Sequence, residues 1–89
     1  MFEELLMKVE TITQPLLAHL GFRLIECLYL SEHGRWVLRL YIDKEGGNVT
    51  IGDCQQVSRT VGAAIDVENF MPGAYVLEVS SPGINRSQH

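Results

Sequence analysis

The stretch Phe22–Asp43, FRLIECLYLSEHGRWVLRLYID, decides the fold. Residues 22–31 and 35–43 are rich in aromatic and branched apolar residues, which predicts two strands. Between them lies Ser31-Glu32-His33-Gly34. A two-residue turn at His33-Gly34 makes the segment a β-hairpin. Tyr29 then faces Leu38, Cys27 faces Leu40, and Ile25 faces Ile42. These six share one apolar face, and a slip by one residue would scatter them. The opposite face pairs Leu30 with Val37, Leu28 with Arg39, Glu26 with Tyr41 and Leu24 with Asp43.

Working outward toward the amino terminus, Leu5, Val9, Ile12, Leu16 and Leu20 recur at helical spacing, and Gly21 stands where a helix would stop. Pro15 predicts either one kinked helix or two shorter ones. Toward the carboxyl terminus, Lys44–Val49 reads KEGGNV, a glycine-rich loop. Thr50 and Asp53 have the spacing of a helix N-cap with its capping box. Cys54, Val57, Val61, Ala64 and Ile65 make one face of a helix running to about Asp66. After a loop from Glu68 to Gly73, Tyr75, Leu77 and Val79 alternate with Val76, Glu78 and Ser80 as a third strand, ended by Ser81-Pro82-Gly83. The expected architecture is α+β: a single two-layer domain, α-β-β-α-β, with both helices on one face of a three-stranded sheet. A right-handed crossover makes strand three parallel to strand two. Strand three could pair with either of the other two.

The chain has 89 residues, 46% hydrophobic and 20% charged, which allows one globular domain and excludes a disordered chain. A net charge of −4 argues against a domain built chiefly to grip nucleic-acid phosphates. Two widely separated cysteines, Cys27 and Cys54, form no disulfide scaffold and indicate a reducing compartment. The acidic start MFEELLMKVE is unlike a secretory signal, and no apolar run has the roughly 20 residues of a membrane span. A cytoplasmic protein without a membrane partner is expected.

Catalytic and metal-binding patterns are missing. His19, His33 and His89 have no spacing that would bring them together on a metal. Cys27 and Cys54 fall on inward faces, where a thiol behaves as a small hydrophobe. Gly46-Gly47 is not followed by the Lys-Ser/Thr of a phosphate loop. No catalytic residue, metal ligand or cofactor is assigned, and an enzyme is not expected.

One segment is more particular. Glu78-Val79-Ser80-Ser81-Pro82-Gly83, followed by Ile84-Asn85-Arg86, resembles the LEVSSPGxxR signature of the bacterial ribosome maturation factor RimP family. Trp36–Lys44, Asp53–Arg59 and Pro72–Leu77 are similar to other segments of that family, in the same order. The resemblance implies a non-enzymatic assembly factor that binds the immature small (30S) ribosomal subunit. It also implies an amino-terminal α/β domain, here residues 1–86, followed in the family by an SH3-like β-barrel. Ser87-Gln88-His89 stand where that barrel would begin, so 87–89 are read as a tail and the barrel as a missing partner. The signature residues Glu78, Ser80, Ser81, Pro82, Gly83 and Arg86 have a plainer reading too: Pro82 and Gly83 make a rigid exit from the last strand. Arg86 is the member suited to a phosphate or carboxylate partner.

Two candidate surfaces follow. Residues 1–20 and 50–89 each carry a net −2, whereas residues 21–49 are neutral, so the hairpin cations Arg39 and Lys44 are the candidate ribosome contacts beside Arg86. The sheet face away from the helices is expected to be bare and unusually apolar. Leu28, Leu30, Val37, Tyr41 and Val76 on it are candidate interface residues, for ribosomal protein, ribosomal RNA, the barrel or a second copy. The plainer alternative is that Arg39 folds over the leucines and screens them. A stand-alone single-stranded RNA-binding domain is the competing function, although the chain has no GxxG clamp.

Overall fold

A computed structural model describes residues 2–82 of the chain. The elements run α1 (Glu3–Leu20), β1 (Phe22–Glu32), β2 (Arg35–Lys44), α2 (Ile51–Glu68) and β3 (Val76–Ser80). The order is α-β-β-α-β, as expected. The sheet order is β1-β2-β3, with β1 antiparallel and β3 parallel to β2. This places β2 in the centre and resolves which strand β3 joins.

The hairpin turns at His33-Gly34, where both residues take positive φ, 52° and 80°. That is the requirement of a two-residue turn whose twist matches the strands. From Glu32 back to Glu26 the pairing is the expected one, including Tyr29 with Leu38 and Cys27 with Leu40. It then shifts at a bulge between Leu24 and Glu26, so that Leu24, not Ile25, pairs with Ile42. Ile25 was expected to face the core and is instead 54% exposed. The inserted residue changes the side on which everything before it lies. Leu24 packs against the core, Phe22 is buried in it, and Arg23 turns outward to bond Asp43.

α1 is one helix through Pro15. Proline removes one backbone donor, so the Thr11 carbonyl loses its partner four residues on. Both residues lie on the exposed side, where water can substitute. The buried stripe is Val9, Thr13 and Leu17, rotated from the expected run of Leu5, Val9, Ile12, Leu16 and Leu20. Gly21 closes the helix at φ 93° and donates its N–H to Ala18 and Leu17 carbonyls. α2 opens on the expected capping box: Thr50 Oγ1 accepts from the Asp53 N–H and Asp53 Oδ2 accepts from the Thr50 N–H, both at 3.0 Å.

Both helices lie on the same face of the sheet, α1 against β1 and α2 against β3. Leu38, Leu40 and Ile42 from the central strand meet Val9 and Leu17 of α1 and Val57, Val61 and Ile65 of α2 in a core from which solvent is excluded. At its hairpin end the layer is closed by three aromatic rings. Tyr29 stacks on Trp36 with centroids 4.9 Å apart, and Phe2 meets both edge-on at 5.0 and 5.4 Å.

Candidate functional site

The other face of the sheet has no helix. Strand alternation puts Leu28, Leu30 and Glu32 of β1, Arg35, Val37, Arg39 and Tyr41 of β2, and Val76, Glu78 and Ser80 of β3 on it. Cross-strand rows follow from the register. Leu30, Val37 and Val76 form one row, Leu28, Arg39 and Glu78 the next, and Glu26, Tyr41 and Ser80 a third. Leu28, Leu30, Tyr41 and Val76 are half-buried. The face is therefore open but not bare.

Val37 corrects that expectation most clearly, because it is only 4% exposed. It sits on the central strand with Leu30 on one side and Val76 on the other. Arg39 lies over it. Its guanidinium bonds Glu32 through two nitrogens, at 2.8 and 3.1 Å, and its Nε donates to Glu78 at 2.8 Å. Glu32 is two rows from Arg39, beyond the Leu30–Val37 row, so the Arg39 side chain must cross that row to reach it. Its stem covers apolar surface while its charge is held at both ends. The screening arrangement thus exists for Val37, and it leaves Leu30 and Val76 partly open beside it.

The electrostatics follow from this geometry. The Arg39 guanidinium, bonded to Glu32 and then Glu78, has its pKa raised further still, and the Glu32 carboxyl is held below its usual range by the same hydrogen bonds. The Arg39 side chain keeps 19% of its surface accessible, against 38% for Glu32 and 45% for Glu78. Charge of both signs reaches solvent on this face, through Arg23 at 62% and the exposed Arg35 as well as through the Glu32 and Glu78 carboxylates. A shallow groove of about 250 Å³ runs between them, lined by Glu32, His33, Arg35, Val37, Val76 and Glu78.

Lys44 does not belong to the same surface. It occupies an even position of β2, with Leu40 and Ile42, and points to the helix side. Its Nζ lies 3.3 Å from Asp53 Oδ2 and over the Phe22 ring. The hairpin charge that grouped Arg39 with Lys44 is split between opposite faces, and each cation is already paired with carboxylate. Strand alternation alone separates an odd from an even position, a signal that counting charge by segment discards. Arg86 and Gly83 lie outside the described residues. Of the remaining signature residues, Ser80 ends β3, Glu78 bonds Arg39, and Ser81 is buried just beyond the strand.

Nucleophilic chemistry finds no support in the thiols. Cys27 is buried with Sγ 3.8 Å from Glu10 Oε2. Burial first, and then the Glu10 charge, push its thiol up to about 11. Burial also raises Cys54. Both thiols stay protonated at neutral pH, the opposite of an activated cysteine. Among the described residues no cluster of three or more His, Cys, Asp or Glu could hold a metal ion, and no helix is long and apolar enough to cross a membrane.

The family model described as the RimP N-terminal domain matches residues 12–85. The match takes in the hairpin, α2, β3 and the signature segment as far as Asn85, and the chain belongs to this family of ribosome maturation factors.

Proposed function

From that membership we propose that this chain is a binding module of a factor assisting late assembly of the bacterial small ribosomal subunit. It acts in the cytoplasm by association rather than catalysis. The observation behind this reading is the family match over residues 12–85. The protonated thiols favour a non-enzymatic role. The stand-alone RNA-binding reading draws no comparable support, because Arg39 and Lys44 are each held by a carboxylate.

Sedimentation of the 89-residue chain with separated ribosomal particles tests the proposal. Co-migration with immature small subunits, but not with large subunits or protein-free ribosomal RNA, is the expected result. Equal binding to protein-free RNA would replace this reading with the RNA-binding one.

A further inference from the structure

We infer that β3 is a latched strand. It opens from the sheet as a unit before the rest of the fold, and Arg39, by joining Glu78 to Glu32, is its latch. The inference is independent of the ribosome-binding reading, and it gives the signature residue Glu78 an intramolecular role.

The first argument is how little holds β3. It has five residues, lies at an edge of the sheet and pairs with β2 alone. Its pairing is parallel, which is slightly less stable per residue than the antiparallel pairing of β1 with β2. No residue of β3 is buried: Leu77 and Val79 pack half-buried at the margin of the core, and Glu78 is exposed. The apolar side chains from which solvent is wholly excluded, Leu17, Leu40 and Val61 among them, belong to α1, β2 and α2. The hairpin strands are also joined by a two-residue turn, whereas β3 follows β2 only after α2 and a further loop. An element with few buried apolar contacts and no local closure opens at lower free energy than the core it borders.

The second argument is the geometry of the ion pairs. Two nitrogens of Arg39 bond Glu32 at 2.8 and 3.1 Å, and its Nε donates to Glu78 at 2.8 Å. The bonds to Glu32 lie within the hairpin, so they survive when β3 leaves. They hold the guanidinium in place, and Glu78 docks on a cation already positioned, at little cost in side-chain freedom. Only 19% of the Arg39 side chain is accessible, so water and salt screen this pair less than a fully exposed one. Glu78 therefore stabilises the docking of β3 without contributing to the hairpin. Ser81, 2% exposed directly after the strand, anchors its far end.

Native-state hydrogen exchange of the full chain tests this, read amide by amide where reclosing outpaces exchange. In the wild type, the β3 amides should exchange through an opening at least tenfold more populated than the one exposing the β1–β2 hairpin amides. E78T keeps a strand-forming residue that is too short to reach Arg39. It should raise β3 exchange about tenfold, as loss of a charged hydrogen bond predicts, and leave the hairpin unchanged. R39M, which keeps an apolar stem over Val37, should do the same. Adding E78T to R39M should then raise β3 exchange little further, because both changes remove the same bond. Equal protection of β3 and the hairpin in the wild type would overturn the inference, and that comparison needs no variant. So would unchanged β3 exchange in E78T, faster exchange of both regions together, or additive effects of E78T and R39M.

Discussion

The two faces of the sheet are made from alternate residues of the same strands, and they bury apolar surface by different means. On one face, Leu38, Leu40 and Ile42 are covered by α1 and α2, and solvent is excluded entirely. On the other, Val37 is nearly as buried without any helix, because Arg39 is stretched across it between Glu32 and Glu78. Burial under helices is cooperative, since each covering side chain belongs to an element fixed by many others. Burial under one ion-paired arginine is local. The first kind holds a fold together. The second screens one patch of surface, and its loss leaves the packing of the core in place.

The sharpest way to break this comparison is to truncate one leucine on each face. Leu40→Ala removes a fully buried side chain from the centre of the core and should cost about 2–5 kcal/mol. Leu30→Ala, half-buried and backed by no helix, should cost under about 1 kcal/mol, as surface changes usually do. Chemical denaturation of both variants checks the ranking. Equal losses would mean that the open face is part of the core.

A smaller effect is expected from Arg39 itself. Arg39→Ala should lower the melting temperature more than Leu30→Ala and less than Leu40→Ala, because it uncovers Val37 and leaves Glu32 and Glu78 facing each other. Arg39→Met keeps an apolar stem without charge. Substantial recovery in Arg39→Met would show that cover over Val37 matters more than the ion pairs. No recovery would show the reverse.

Acid and alkali separate the faces again. Glu32 is held below its usual range by Arg39 on the open face, and Asp53 by the Thr50 backbone N–H beside the covered face. A carboxyl with a lowered folded pKa stabilises above its unfolded pKa and loses that contribution as pH falls through the folded one. Stability should therefore decline below about pH 4, the ordinary carboxylate range. Glu32→Gln and Asp53→Asn should each flatten that acid limb in a pH series of thermal melts. Cys27 acts in the opposite sense. Its folded pKa of about 11 means that the neutral thiol is favoured by the fold. Its contribution is complete below the unfolded pKa and is lost as pH rises toward 11, so Cys27→Ala should flatten the alkaline limb.

The covered face was more legible in the sequence than the open one, for physical reasons. Hairpin pairing from Glu26 to Glu32 follows from a two-residue turn and side-chain alternation, both local. The capping box at Thr50 and Asp53 is local as well. The bulge at Ile25 is not, since Leu24 and Ile25 are adjacent and equally apolar. Which one faces inward depends on how α1 sits on β1. The Phe2–Tyr29–Trp36 cluster joins a residue before α1 to the hairpin and has no short-range signature. Candidate-site reading suffered most from unknown strand order. Placing β3 beside β2 brings Glu78 opposite Arg39, and only then does a free cation become a shared one.

The smallest effect concerns a residue that the apolar stripe of α1 concealed. Thr13 lies between Val9 and Leu17 in the buried face of the helix, and its hydroxyl, buried with them, has no hydrogen-bond partner among the described residues. A hydroxyl taken from water without a replacement bond costs about 1–3 kcal/mol. Thr13→Val keeps the shape and the β-branch while removing that polar atom, so helix propensity barely changes. The variant should be more stable by about 1 kcal/mol, at the low end of that range. In a domain of this size, that raises the melting temperature by roughly 4–8 °C. The same threonine-to-valine change at Thr11 is the control. Its hydroxyl is exposed and bonds the Met7 carbonyl at 2.8 Å, so its replacement should bring no gain. A loss of stability in Thr13→Val would show that the hydroxyl is bonded in solution, and that the covered face is less dry than the open face is apolar.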